Sequence, residues 1–261
     1  MSKDGMILDP AGVPVDVEAE LNRLATRYRG ASGLGIELLN LIGAQGETLL
    51  DRLPPAARAG LDSATLAALT QAMKAAQGSR RIVPKGSSVL NTSVATALGA
   101  VGGIGGVSSA LAELPITTTV LLRAIQDVAV QYGFDPEAES VQFDCIQVFS
   151  AAGPLEKDDG ADLAFVSTRL ALTGGAMQVL IARVAPKLAV VLGQKLAAQA
   201  VPLLGAVAGA ATNFAYTSYY QEIAHVHFGL RKLAIDADRD PGELTEALIA
   251  RVKPKINKGA A

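Results

Sequence analysis

The chain has no tryptophan, one cysteine and two histidines in 261 residues, and only 4% of it is aromatic. Each shortage removes a class of protein. A lone Cys145 excludes an intramolecular disulfide and a multi-cysteine zinc site; it fits a reducing compartment and reads as a small buried hydrophobe on a helix. His225 and His227 are two residues apart, which on a helix turns them to nearly opposite sides, so they do not readily join in one site. Both are expected to be surface or partly buried histidines with ordinary roles. The few aromatics have no Lys/Arg clusters around them to make a base-stacking platform. A net charge of −2 with a pI near 5.8 supplies no basic field either. Nucleic acid is therefore not an expected partner. The opening "MSKDGMILDPAG" lacks the apolar core of a signal peptide, which makes the cytoplasm the expected location.

What the chain does have is apolar bulk of small size. Half of its residues are hydrophobic, with Ala, Gly, Leu and Val prevailing over the large β-formers, a composition that favours close-packed helices over a sheet sandwich. We expect an all-α, single-domain helical bundle. The mean hydropathy, +0.32, is high for a soluble protein and concentrates in two places: residues 86–112 and 196–221 carry no Asp, Glu, Lys or Arg. Both runs exceed the roughly 20 residues that a spanning helix needs. They are diluted by Gly, Ser, Thr, Asn91, Gln199 and Asn213, however, so a permanent span is not expected.

Apolar spacing predicts a first helix on which Val17, Leu21, Leu24 and Tyr28 share a face while Glu20, Arg23 and Arg27 take the wet side. The pattern runs on from Gly35 to Leu53, where Pro54-Pro55 is expected to stop it, and a further helix is predicted over 62–77. "SRRIVPKGSS" reads as a boundary. The chain thus divides into N-terminal amphipathic helices (1–84), a helical core (85–235) and a C-terminal helix with a basic tail (236–261), all within one compact domain. In the core, Pro115 is expected to start a helix that Gly133 ends, and Asp135-Pro136-Glu137 to open the next with a capping acid and a proline at the first position. The pattern over 163–235 is expected to break at Gly174-Gly175, Pro186 and Pro202 into three or four helices. The last helix is predicted near Pro241 to Val252.

The stretch "LGAVGGIGGVSSALAELP" lacks the Gly-Lys-Ser/Thr of a phosphate loop and matches only half of a dinucleotide fingerprint. It does match small-xxx-small spacing: Gly99 with Gly103, Gly102 with Gly106, and, in the second uncharged run, Gly205 with Gly209. Such faces let helix backbones approach closely, so two central glycine-rich helices are expected to pack together, inside the fold or against a membrane. Asn213 needs a hydrogen-bond partner there. Tyr216, Tyr219 and Tyr220 stand where charge resumes, as rings do at a bilayer interface or at the rim of a core. Lys187, Lys195, Arg231, Lys232 and the C-terminal lysines are the basic material available for an anionic leaflet. Arg123, Gln126 and Asp127 either face water or form a polar seam between helices; the watery face is the expectation.

No catalytic, cofactor or metal site is assigned. Glu222-x-x-His225 has the spacing of a carboxylate-bridged metal motif but lacks the second copy such a site requires. Ser108 with His225, or the acids Asp127 and Glu222, would serve an alternative hydrolase acting on a lipid or other apolar substrate; its requirement is that Ser108 and His225 meet. An intracellular lipid carrier would need an enclosed apolar cavity.

"GGIGGVSSALAELP", "IQDVAVQYGFDPE", "VPLLGAVAGAATNFAYTSYY" and "HVHFG", in that order over about Lys85 to Leu230, resemble the EcsC family, named for a component encoded beside an ABC transporter. The resemblance implies a helical, cytoplasmic or membrane-peripheral bacterial protein, with Tyr132, Gly133, Asp135, Gly205, Gly209 and Asn213 on the recurring pattern. It transfers no catalytic residue. Residues and resemblance together lead to the expectation of a non-enzymatic accessory protein, peripheral to the inner membrane. Its partners would be lipid or an integral membrane protein such as an ABC transporter, engaged through the glycine-rich helices and the tyrosines.

Overall fold

The computed structural model describes residues 15–42, 50–82, 106–151, 153–154, 176–199 and 205–253; over 35–36, 38–42, 52, 74–82, 106–113, 199 and 205–209 it describes the course of the backbone alone. Among these residues the chain is all-α. Seven helices follow one another: α1 (Val17–Ile42), α2 (Pro55–Ile82), α3 (Gly106–Gln131), α4 (Glu139–Val148), α5 (Ala176–Gln199), α6 (Gly205–Asp236) and α7 (Pro241–Val252), with a single 3-10 turn at Leu50–Arg52.

Local chemistry accounts for where the helices begin. Asp16 accepts from the Ala19 amide at 3.0 Å and so caps α1. Leu21, Leu24, Ala25, Tyr28 and Ala31 are buried along one face of that helix. Asp240 caps α7 by accepting from Gly242 at 2.8 Å and Glu243 at 3.1 Å, with Pro241 behind it. A proline is tolerated in that first turn because its missing N–H had no intrahelical partner to lose.

Prolines also account for three corrections to the sequence expectations. Pro54-Pro55 marks a junction, but Pro55 is the first residue of α2, which therefore starts well before Asp62 and runs past Gln77 to Ile82. Pro115 does not start a helix; it lies inside α3, and the Thr119 hydroxyl donates to its carbonyl at 2.7 Å. Pro186 likewise lies inside α5. A proline removes one hydrogen bond and clashes with the preceding turn, and burial along both helices outweighs that loss.

The end of α3 is as the glycine predicts. Gly133 adopts φ 81°, its amide donates to the Val130 carbonyl, and the Phe134 amide donates to Ala129. These two bonds form a Schellman stop. Asp135 does cap a turn, accepting from the Glu137 amide at 2.9 Å, but that turn precedes the next helix. α4 begins only at Glu139, with Ala138 at its cap position and no side-chain bond there.

Packing is organised around α6, which lies against α1, α3, α4, α5 and α7; α2 packs on α3 and α5. Leu24 meets Gly229 and Arg27 meets Glu222, so α1 runs antiparallel to α6. The helix α7 contacts α1 and α6, with Leu244 and Leu248 buried and Arg251 paired to Glu18. Segments from the two ends of the chain thus cover one side of the central helix. Of the proposed glycine faces, Gly99, Gly102 and Gly103 lie outside the described residues. Gly106 opens α3, and Gly205 and Gly209 occupy the first turns of α6.

Candidate functional site

The two sequence motifs "QYGFDPE" and "HVHFG" meet in space, and the two histidines of the second turn to different partners. His225 projects from α6 toward the end of α3, where its Nδ1 lies 3.3 Å from the Tyr132 hydroxyl and the rings stand edge to face. Arg23 of α1 donates to the same hydroxyl at 3.4 Å. Beside them Arg27 donates to both oxygens of Glu222, at 2.9 and 2.7 Å. Gly229, one turn on, leaves room for α1: a Cβ there would stand 2.7 Å from Leu24 Cδ2 and 3.2 Å from the Tyr132 hydroxyl.

His227 turns the other way, as a spacing of two on a helix requires. It is buried, not superficial, and its Nε2 lies 3.4 Å from Asp144 of α4. Arg231, one turn further, pairs with the other oxygen of the same carboxylate and lays its guanidinium 4.6 Å from the Phe134 ring centroid. Phe134 in turn packs on Phe228. Burial by itself would push the Asp144 carboxyl up, but the His227 and Arg231 charges outweigh it and hold the group below its ordinary value.

His225 is governed by the opposite balance. Burial disfavours its charged form, and Arg27 and Arg23 add positive potential, so its pKa is lowered from 6.5 to about 4. The unfolded chain therefore takes up this proton first as the pH falls, and stability drains away between about pH 6.5 and 4. We predict that the melting temperature of the wild type drops through that window and that His225→Gln flattens the drop. Equal slopes in parallel thermal melts of the two proteins would sink this assignment.

The remaining candidates are distributed as follows. Gln126 and Asp127 are buried and Arg123 is partly buried, so this side of α3 does not face water. Asn213 is buried as well. Tyr216, Tyr219 and Tyr220 are core residues: none is more than 2% exposed, Tyr220 packs edge to face on Phe149, and the Tyr219 hydroxyl accepts from the Gly153 amide. They form no rim, and replacing them with serine would probe folding, not surface attachment. Lys195 is buried, Arg231 is paired with Asp144, and Lys232 is paired with Asp236 within its own helix. Cys145 is buried and unbridged.

The meeting of Ser108 with His225 that one hydrolase reading requires does not occur. Ser108 stands in the first turn of α3 and His225 beside Tyr132, just past its last turn. At 1.5 Å per residue these places are about 36 Å apart, and a bend at Pro115 would still leave a straight limb of about 24 Å between them. No group of three or more His, Cys, Asp or Glu side chains capable of holding a metal occurs among the described residues. Asp144 is the residue that sequence reasoning missed. Its only signal was an acid isolated among the apolar residues of "VQFDCIQVF".

These features define an all-α bundle whose histidines, tyrosine and ion pairs join α1, α3 and α4 to one central helix. Within that class the chain belongs to the EcsC protein family, whose model matches residues 61–233. The chain is also similar to a curated protein of Bacillus subtilis (strain 168), uncharacterized protein YdbA, with 35% identity over 72 residues, or 26% of each chain. The match thus spans about a quarter of that relative's length. No solved structure matches.

Proposed function

We propose that the chain is a non-enzymatic accessory protein that associates peripherally with the inner membrane and binds lipid or a membrane-protein partner, for which the family's name suggests an ABC transporter. The supporting observation is the character of α5. Its segment Ala176–Ala198 is long and apolar enough to cross a membrane by length and composition, with a mean hydropathy of 1.5, yet half of its most apolar 18-residue stretch is not buried. Leu180, Val184, Leu188 and Leu192 fasten one side of it into the core while Val179 and Val190 lie exposed on the other. A helix anchored in this way is suited to lying on a bilayer, since spanning would require its buried side to leave the core. The tyrosines belong to the closed core, so a shift to an open state that presents α6 would have to break the α1 contacts at Arg27 and Leu24 first.

Cell fractionation tests the reading. The untagged protein is expected in the membrane fraction, partly released by high salt and fully by alkaline carbonate. Resistance to both treatments would replace peripheral attachment with insertion. A wholly soluble protein that also ignores lipid vesicles would overturn the proposal and bring the lipid-carrier reading forward.

A further inference from the structure

The exposed side of α5 has a chemistry of its own. Val179, Arg183, Pro186 and Val190 follow at spacings of 4, 3 and 4, with Ala182 and Lys187 beside them, and all six are exposed. Val179 is 59% and Val190 39% exposed, the former the highest value among the large hydrophobic residues so described. The helix contains no Asp or Glu in 24 residues, although the whole chain carries 25 acids against 23 Lys and Arg. Arg183 has no ion-pair partner among the described residues. The other outward-facing helices differ: α1 carries Glu18 and Glu20, and α7 carries Glu243 and Glu246. An acid-free stripe of aliphatic side chains and exposed cations, held on a helix whose other side is fixed in the core, is complementary to an anionic surface with an apolar layer beneath it.

We infer that this stripe of α5 is a docking surface for an anionic bilayer, on which Arg183 and Lys187 meet lipid headgroups while Val179, Pro186 and Val190 reach the acyl boundary. The inference rests on the membrane reading above and adds to it the face and the charge of the lipid. It moves the contact away from the glycine stretches and tyrosines to a helix whose exposed side needs no rearrangement to be used.

The test is co-sedimentation of the full chain with protein-free vesicles of phosphatidylcholine, with and without phosphatidylglycerol. Binding is expected with phosphatidylglycerol and not without it, and is expected to weaken as salt is raised. Arg183→Glu combined with Lys187→Glu should lower the partition coefficient at least about tenfold, and Val179→Asp should lower it too. Val179 and Arg183 are exposed, so circular dichroism and thermal melts of Val179→Asp and of Arg183→Glu alone, which should also weaken binding, should match wild type. Reversal at Lys232 and Arg239, cations outside α5, should leave binding unchanged.

Wild-type binding that survives the α5 reversals would overturn the docking surface and leave peripheral attachment standing on another face. Equal binding to both vesicle types would overturn the anionic partner. Recovery with native membranes but not with protein-free vesicles would overturn the lipid in favour of a membrane-protein partner. Binding to neither would overturn the inference together with the function it rests on.

Discussion

Asp144→Asn should be among the most damaging single substitutions in this protein, lowering unfolding free energy by about 2–4 kcal/mol. The change keeps size and shape and removes only the charge, which leaves Arg231, one turn beyond His227 on α6, without the carboxylate that α4 supplies to both. Taking one partner from a buried ion pair costs more than the pair itself contributes, because the survivor stays desolvated. The position of Arg231 over Phe134 moderates the loss but does not replace the carboxylate. Denaturant titration measures the effect. A midpoint shift equivalent to less than about 0.5 kcal/mol, the range of ordinary surface substitutions, would show that the cluster does not hold α4 to α6. The pH dependence has a definite sign. Since the folded-state pKa is depressed, the contribution of Asp144 is complete above its ordinary value of 3.8 and is lost as the pH falls through the lower folded value. This acid limb lies below the window assigned to His225, so the two are separable in one set of melts.

Gly153→Ala should be of comparable severity, at about 2–4 kcal/mol, for two additive reasons. The residue adopts φ +91°, which an L side chain rarely enters, and a Cβ there would meet Val191 Cγ1 at 2.8 Å and Cγ2 at 2.9 Å. Val191 is β-branched and buried, so rotation about χ1 brings one methyl group in as it takes the other away. The Gly153 amide also donates to Tyr219, and any shift that relieves the clash pulls on that bond. Pairing the change with Val191→Ala separates the causes: the double variant should recover the steric part and keep the backbone part. If Gly153→Ala alone leaves the denaturation midpoint where it was, the close approach of this segment to α5 is wrong.

The elements were largely legible in the sequence, and their junctions less so. Leu21, Leu24 and Tyr28 share a face because period alone fixes it, and Gly133 ends α3 because an unbranched backbone is the cheapest route to a left-handed stop. Pro115 and Pro186 misled because the cost of a proline is local, while the packing that outweighs it comes from helices distant in sequence. The tyrosines misled for a related reason. The edge of an uncharged run suggests an interface or a rim, although spacings of three and one already put them together on a helix face that belongs inside. The histidine partners were the least legible: 93 residues separate His225 from Tyr132, and 87 separate Arg231 from Asp144. Nothing local to "HVHFG" says which helix will arrive opposite it.

That distance along the chain also sets an order of events during synthesis. Arg27 and Glu222 are 195 residues apart, so α1 leaves the ribosome long before the face of α6 that covers Leu21, Leu24 and Tyr28 has been made. At about 5–20 residues per second the wait is roughly 10–40 s. Through that interval an apolar helix stripe has no native surface to rest on. The first of the described helices to be translated is thus among the last that can dock, and α1 is the segment with the longest exposure to premature association.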